Sequence, residues 1–505
     1  MQRNQRLVLV ASILGSFVAF LDMAVVNVAL PAIRAQLGGG FSSQQWVVDA
    51  YLLTLGSTIL IAGSLADLFG RKRVFALGLV GFAATSVLCA LAPNASILIA
   101  ARALQGAAGA LLVPSSLALI MATFTGPAQG EAVGTWTAWT GVAFLVGPLA
   151  GGLLVDAGSW RWVFAINVVP VAATLLVLSR VVTESTARGP VRAAEIDVAG
   201  AALCAGGLGG VIFALIEAPA RGWRDPWLVV ALVSGVLGLA GFLARERFAK
   251  HPILDLGLFR ARNFAIGNLA TVLIYAGLNA AMFLITLFLQ QVARYSAVQA
   301  GMALVPVTVL MFTLSPLFGR LAGKLGPRLF MTIGPCVAGV GFALMTGVGP
   351  HTRYFEALLP GVLVFGLGLS ATVAPLTAAT LGDVDQRHAG VASAVNNAIA
   401  RVAGLLAVAA LGVILAARFA AEIDARVEAH PRLPYAARSF LDEARHRPLE
   451  TAVPPAIAAR APAVRAILDD ASVSAFRHAL WWIAALPVAG GLLSAIGIRN
   501  PARKT

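Results

Sequence analysis

The chain has 505 residues, of which 59% are hydrophobic and 12% are charged, and its mean hydropathy is +0.85. This composition excludes a soluble globular protein and indicates a polytopic membrane protein. The net charge of +14 does not indicate a nucleic-acid partner, because the basic residues lie in short turns between apolar runs rather than on one soluble domain.

Apolar runs of membrane-spanning length follow one another along the whole chain. We count fourteen, near residues 7–30, 45–66, 74–92, 96–121, 132–155, 162–182, 197–216, 227–244, 264–290, 299–319, 329–348, 355–379, 389–416 and 474–497. The basic residues favour one set of alternating turns, which predicts that both termini are cytoplasmic. The excess of arginine over lysine fits a GC-rich bacterium, so the expected location is the bacterial inner (plasma) membrane.

A charged turn joins the second and third predicted spans in the stretch GSLADLFGRKR. The small residues Gly63 and Gly70 allow close approach of helix ends, Asp67 offers a carboxylate, and Arg71 and Lys72 favour the cytoplasmic side. An ordinary basic turn explains the cations but not an aspartate between spaced glycines. We therefore expect a gating motif.

A weak echo of this motif, GRLAGKLGPR, begins at Gly319 and indicates a duplicated architecture. The prediction is a six-helix bundle over 1–182, a linker with two extra transmembrane helices over 183–263, and a second six-helix bundle over 264–505. The polar segment 417–472 is expected to be an extracytoplasmic loop. A solvated loop, a lid and a contact for an accessory protein stay open as its role.

Ionisable residues inside spans are functional candidates, because burying them is costly. At about 1.5 Å of rise per residue, Asp22, Asp49 and Arg102 lie at comparable depths, roughly 9 to 13 Å from the outer ends of their spans. They are therefore predicted to share a proton-coupling site. The alternatives are a buried ion pair that only fixes helix register, and for Asp49 a side chain that reaches water.

Glycines and a proline in the fifth span, Gly147, Pro148, Gly151 and Gly152, predict a kinked and closely packed helix suited to rocking. A static kink is the alternative. A substrate cavity with an apolar surface and a few polar groups is expected to use Trp136, Trp139, Tyr275, Asn279, Phe283, Asn396 and Arg401. Aromatic residues in spans also commonly face lipid or the core.

Five further motifs occur in order along the chain: LDMAVVNVALPAI, WVVDAYLL, ARALQGAAGALLVPSS, GPLAGGLLVD and SAVNNAIARVAG. With the charged turn, they resemble the fourteen-span drug:proton antiporters of the major facilitator superfamily, the EmrB/QacA type. The resemblance implies proton relay by Asp22 and Arg102 and the antiporter motif around Gly147. One departure is Ala143, where the family usually has glycine.

The resemblance implies efflux of hydrophobic compounds, cationic ones included, in exchange for protons and without a cofactor or metal. The expected partners are a lipophilic small molecule, protons and the bilayer; a periplasmic adaptor stays open. A dedicated exporter of an endogenous lipid or secondary metabolite is the alternative. A membrane-integrated lipid enzyme is more remote, because the sequence contains no HExxH, no GxSxG and no clustered Cys/His ligands.

Overall fold

The computed structural model describes residues 3–125, 127–181, 197–249, 254, 256–350, 353–382, 384 and 389–500. Regular secondary structure in these ranges is helical, with nineteen α-helices, two short 3-10 segments and one π-helical turn. The all-α class expected from composition is confirmed for this part of the chain. The polar linker predicted to begin at residue 183 lies outside the described residues as far as residue 196.

The chain divides into two compact units, the first of which comprises Met1–Gly38, Trp46–Val211 and Leu232–Leu256. Its helices are α1 (Arg3–Leu37), α2 (Phe41–Phe69), α3 (Arg71–Ala90), α4 (Ala95–Ala110), α5 (Leu112–Thr123), α6 (Pro127–Ala157), α7 (Arg161–Ala165), α8 (Val168–Ser179), α9 (Val198–Arg221) and α10 (Pro226–Phe248); the first residues of α2 and α10 and the last residues of α9 belong to the second unit. Helix α1 packs against α5, α6 and α8, and α3 packs against α4 and α7. These contacts bury the middle of α1.

The second unit comprises Gly39–Gln45, Ile212–Ala231 and Gly257–Thr505. Its own helices are α11 (Arg262–Gln291), α12 (Ala297–Ala303), α13 (Val305–Leu325), α14 (Pro327–Leu344), α15 (Leu359–Gly382), α16 (Ala389–Ala429), α17 (Tyr435–Ala444), α18 (Pro455–Arg460) and α19 (Ala463–Gly497). Helix α14 packs against α15 and α19, and α11 packs against α16 and α19. The α14 and α15 backbones approach closely because both have glycine at the contact: a Cβ on Gly341 would lie 2.4 Å from Phe365 N.

Twelve stretches among the described residues are long and apolar enough to cross a membrane. They are Arg3–Leu37, Arg71–Ala90, Ala95–Thr123, Arg161–Ser179, Val198–Arg221, Pro226–Phe248, Arg262–Gln291, Ala297–Leu325, Pro327–Gly347, Tyr354–Gly382, Val391–Ala429 and Ala463–Gly497. Helices α2 and α6, of 29 and 31 residues, have the length for it but are not in that set. The protein is a multi-pass integral membrane protein, and fourteen spans remain a prediction.

Some predicted spans consist of two helices. The run 96–121 is α4 and α5, joined at Leu111, and the run 162–182 contains α7 and α8 with Ile166 and Asn167 between them. Helix α4 begins where the Asn94 side chain accepts a hydrogen bond from the Ile97 N–H at 2.9 Å. The interruption at Asn167 places a polar side chain inside an otherwise apolar span.

The segment 417–472, predicted to be an extracytoplasmic loop, is largely helical. Helix α16 continues to Ala429 and α19 begins at Ala463, with α17 and α18 between them. The 41 residues of α16 extend about 62 Å, which is twice the hydrocarbon thickness of a bilayer of about 30 Å. An ion pair joins the C-terminal part of α16 to the N-terminal part of α19, since Arg426 lies 2.7 Å from Asp470. Within α16, Arg426 also lies 3.2 Å from Glu422.

Candidate functional site

The charged turn between α2 and α3 has a backbone that only glycine adopts readily. Gly70 has a φ of 93° and a ψ of 127°, and the following Arg71 and Lys72 donate hydrogen bonds to the carbonyls of Ala118 and Val181, at 3.2 and 2.6 Å. The turn thereby ties the α2–α3 junction to α5 and to the end of α8. Gly63 and Asp67 lie within α2, but their side-chain surroundings are outside the described residues.

The echo of this turn has the same backbone shape in the second unit. Gly326, between α13 and α14, has a φ of 91° and a ψ of 149°. The next cation, Arg328, donates to the Ala495 carbonyl at 2.8 Å. Matching conformations at matching positions agree with the duplication that the sequence indicates.

Asp22 of α1 and Arg102 of α4 form an ion pair inside the first unit. Arg102 Nη1 lies 2.6 Å from Asp22 Oδ2, and the two residues are 1% and 0% exposed. The guanidinium also donates through Nε to the Val47 carbonyl at 3.0 Å and stacks on the Tyr51 ring, 4.2 Å from its centroid. Most of the arginine's donors therefore bind before any substrate arrives.

Neutral polar side chains complete the shell of Asp22, and the motif analysis did not assign them to the site. Asn167 Nδ2 donates to Asp22 Oδ1 at 2.8 Å, and Gln105 Nε2 donates to the same oxygen at 3.1 Å. Gln105 also donates to Ser86 Oγ at 2.8 Å and accepts from Arg102 Nη1 at 2.7 Å. We call Asp22, Arg102, Gln105, Asn167 and Ser86 the Asp22 cluster.

Asp49 is buried, but no hydrogen bond reaches either of its carboxylate oxygens from the described residues. Its helix nevertheless contributes to the Asp22 cluster, because the Val47 carbonyl two residues earlier binds Arg102. An ionised carboxylate in such surroundings is costly, since nothing replaces its lost hydration. Of the three residues predicted to share a site, Asp22 and Arg102 are therefore bonded to each other. Asp49 makes no hydrogen bond with either of them in the part of the chain that the structure describes.

The glycines of α6 allow that helix to pack closely against α1, at residues that follow Asp22 in the sequence. A Cβ on Gly147 would lie 2.3 Å from Ala24 Cβ, and one on Gly151 would lie 3.0 Å from the Val25 carbonyl oxygen. Pro148 lies inside the helix, and Gly152 is buried. The predicted close packing is present, and its partner is the helix that carries Asp22.

The residues predicted to line a substrate cavity are distributed over both units. Trp136, which donates to Ser16 Oγ at 3.0 Å, and the exposed Trp139 belong to the first unit. In the second unit, Asn396 donates to Asn268 Oδ1 at 3.0 Å and to Thr271 Oγ1 at 2.9 Å. The other four are Tyr275, Asn279, Phe283 and Arg401, of which Phe283 is 1% exposed. Among the described residues, no group of three or more His, Cys, Asp or Glu could hold a metal ion.

Membrane-length helices around a buried charge cluster are typical of polytopic membrane transporters. The Major Facilitator Superfamily profile matches residues 12–408, and the chain belongs to this family. It is 33% identical over 429 residues to the multidrug resistance protein Stp of Mycobacterium tuberculosis, covering 85% of this chain and 79% of that protein. It is 37% identical over 410 residues to the puromycin resistance protein pur8 of Streptomyces alboniger, covering 80% and 81%.

The fold is similar to that of a solved bacterial homologue of the human lysosomal transporter Spinster. The TM-score is 0.65 at 15% identity, and the match covers 99% of this chain and 100% of that one. The protein is thus a transporter and not an enzyme, with homologues that are multidrug and antibiotic resistance transporters.

Proposed function

We propose that this protein is a proton-coupled efflux transporter of the fourteen-span drug:proton antiporter type, in which α2 and α6 also cross the membrane and α9 and α10 are the two extra helices of the linker. It exports hydrophobic compounds, including cations, across the bacterial inner membrane, and both of its termini are cytoplasmic. The observation that carries the proposal is the buried Asp22–Arg102 ion pair, together with relatives that are resistance proteins.

The pair suits proton coupling because its attraction depends on the charge of Asp22. Leaving one partner of a buried ion pair without the other costs about 3–5 kcal/mol. A proton that enters from outside and neutralises Asp22 removes that attraction while Arg102 keeps its bonds to Val47 and Gln105. The neutral carboxyl is then attracted less strongly to the guanidinium, so α1 can shift relative to α4.

The energy scale is adequate for a switch between two conformations. One proton moving inward releases about 2.3 kcal/mol per 100 mV of membrane potential, before any pH difference is counted. A shift of that size changes a two-state population by more than tenfold, since about 1.4 kcal/mol corresponds to tenfold. Because α6 packs closely against α1 at Ala24, a movement of α1 is transmitted to α6.

Asp49 is proposed as a second proton-coupling residue, because it is buried and its oxygens accept no hydrogen bond from the described residues. One coupling carboxyl exchanges one proton for a monovalent cation, which moves no net charge. Two carboxyls exchange two protons and make the export electrogenic. The residues Tyr275, Asn279, Asn396 and Arg401 are proposed to contribute to substrate binding.

The experiment is substrate-induced proton release from purified protein in proteoliposomes. Proteoliposomes that contain wild type, Asp22→Asn or Asp49→Asn are loaded with acid and challenged with lipophilic cations such as ethidium and tetraphenylphosphonium. We expect proton movement in wild type and none in Asp22→Asn, because the amide cannot release a proton but preserves the shape of the side chain. The matched control is Asp156→Asn, an exposed carboxylate near the end of α6.

Full proton-coupled export by folded Asp22→Asn would contradict the proposed mechanism. Absence of any response to the cations in folded wild type would favour a dedicated exporter of a neutral or anionic product. A membrane potential generated by wild type and lost in Asp49→Asn would support two coupling carboxyls.

A further inference from the structure

The side-chain amide of Asn167 has an unusual asymmetry inside the Asp22 cluster. Its nitrogen donates to Asp22 Oδ1 at 2.8 Å and lies 3.4 Å from Ser86 Oγ. Its oxygen, Oδ1, is buried and accepts no hydrogen bond from the residues that the structure describes. A buried amide oxygen without a donor costs about 1–3 kcal/mol, so this arrangement calls for a compensating role.

Protonation of Asp22 creates an O–H donor, and the side chains bonded to Asp22 present no acceptor to it in this arrangement. Oδ2 faces Arg102, which only donates, and Oδ1 receives N–H groups from Asn167 and Gln105. A new O–H on the carboxyl must therefore meet an acceptor that becomes available only after a side chain turns. Without such an acceptor, the neutral carboxyl is destabilised and proton uptake is opposed.

Gln105 is poorly suited to provide that acceptor, because its Oε1 already receives Arg102 Nη1 at 2.7 Å and the Cys89 thiol at 3.4 Å. The Asn167 oxygen is available, and it reaches Asp22 by a half-turn about the terminal torsion of the side chain. That torsion joins a tetrahedral carbon to a planar amide, so its energy wells are broad and the rotation is accessible.

We propose that Asn167 is a positioning residue that serves both protonation states of Asp22 by inverting its side-chain amide. It donates Nδ2–H to the carboxylate when Asp22 is ionised, and its Oδ1 accepts the O–H when Asp22 is protonated. The proton remains on Asp22, and no proton is transferred to the amide. This inference rests on the proposed function in one respect, namely that Asp22 takes up and releases a proton.

The position of Asn167 in the chain connects the inversion to a larger element. Asn167 lies between α7, which ends at Ala165, and α8, which begins at Val168. Inversion also withdraws Nδ2 from Ser86 of α3, so the contact between this junction and α3 changes with the charge of Asp22. Besides Asp22 and Arg102 themselves, the titratable groups that face the cluster in the described residues are Cys89 of α3 and Tyr51 of α2.

The test is infrared difference spectroscopy of the full chain in lipid, comparing acidic and neutral pH. Asparagine labelled with carbon-13 at the side-chain carbonyl identifies amide bands. In wild type we expect a carboxyl C=O band to appear on acidification, together with a labelled amide band that moves to lower frequency as the carbonyl gains a hydrogen bond. Both features should be absent from Asp22→Asn, which keeps all asparagines of the wild type and adds one labelled amide, at position 22, that does not titrate.

Asn167→Leu, which has similar volume and no hydrogen-bonding group, should retain the carboxyl band and lose the amide shift. Thr174→Val is the matched control on α8: its hydroxyl bonds the Pro170 carbonyl of the same helix and does not touch Asp22, so the amide shift should persist.

A carboxyl band that appears in wild type without any shift of a labelled amide band overturns the inversion and leaves the proposed function intact. The absence of a carboxyl band that depends on Asp22, at every pH at which the protein is folded, overturns the proposed function and the inference with it. The comparison of labelled wild type with Asp22→Asn decides the matter even if Asn167→Leu does not fold.

Discussion

Adding one methyl group at Gly147 should separate α6 from α1 next to Asp22. The new Cβ would lie 2.3 Å from Ala24 Cβ, whereas carbon atoms in contact are about 3.5–4.0 Å apart, so at least about 1.2 Å of helix movement is needed. Overpacking of this kind costs about 1–3 kcal/mol. Alanine also improves helix propensity by about 1 kcal/mol, which must be removed from the comparison.

Gly134→Ala provides that correction, because Gly134 lies in the same helix and a Cβ there meets nothing within 4 Å. We expect Gly147→Ala to be less stable than Gly134→Ala by about 1–3 kcal/mol, measured by thermal unfolding of purified protein in detergent. Ala24→Gly removes the methyl group on the other side of the contact. The double variant Gly147→Ala/Ala24→Gly should recover most of the loss, which a double-mutant cycle measures as coupling.

Equal stability of Gly147→Ala and Gly134→Ala would refute the reasoning, and so would a double variant that is no more stable than the sum of the two single changes. Recovery of stability without recovery of efflux would place the role of Gly147 in movement rather than in packing alone.

Two further outcomes follow from features outside the Asp22 cluster. Gly70→Ala should lower stability by about 1–2 kcal/mol, because Gly70 has a φ of 93° and alanine is strained there; Gly382→Ala, which meets nothing within 4 Å at an ordinary φ, should stay close to wild type in the same unfolding measurement. Burial opposes ionisation of Asp197, yet the Gly200 N–H and the Arg245 guanidinium outweigh it and set its pKa below the ordinary value of 3.8. Its contribution to stability is therefore present above about pH 4 and lost as the pH falls through the lowered pKa, and Asp197→Asn should lose it at neutral pH and show a weaker acid dependence.

The sequence places Asp22, Asp49 and Arg102 at comparable depth, because helical rise is uniform, but it leaves open which aspartate pairs with the arginine; the structure pairs Arg102 with Asp22. The same argument fails to connect Asp49 to the pair, since depth says nothing about the direction in which a side chain points. A search for ionisable residues inside spans does not identify Asn167, because asparagine is a neutral amide. Only the three-dimensional contact between the α7–α8 junction and α1 reveals its role as a ligand of Asp22.

The segment 417–472 shows a different limit of sequence reasoning. Its polar composition indicates exposure to water but does not show where the flanking helices end. The i,i+4 pairs Arg418–Glu422 and Glu422–Arg426 instead stabilise a solvated helix. Hydropathy locates the membrane boundary of α16 but not the end of the helix.

Because α16 is one continuous helix, its two ends move together. A helix of 41 residues carries the tilt of its membrane portion out to the far end, where a small rotation becomes a large displacement. Tyr435, at the start of the adjoining α17, is 88% exposed and accepts a reporter group without disturbing the core. A single spin label or fluorophore there would report displacement of the far end of α16.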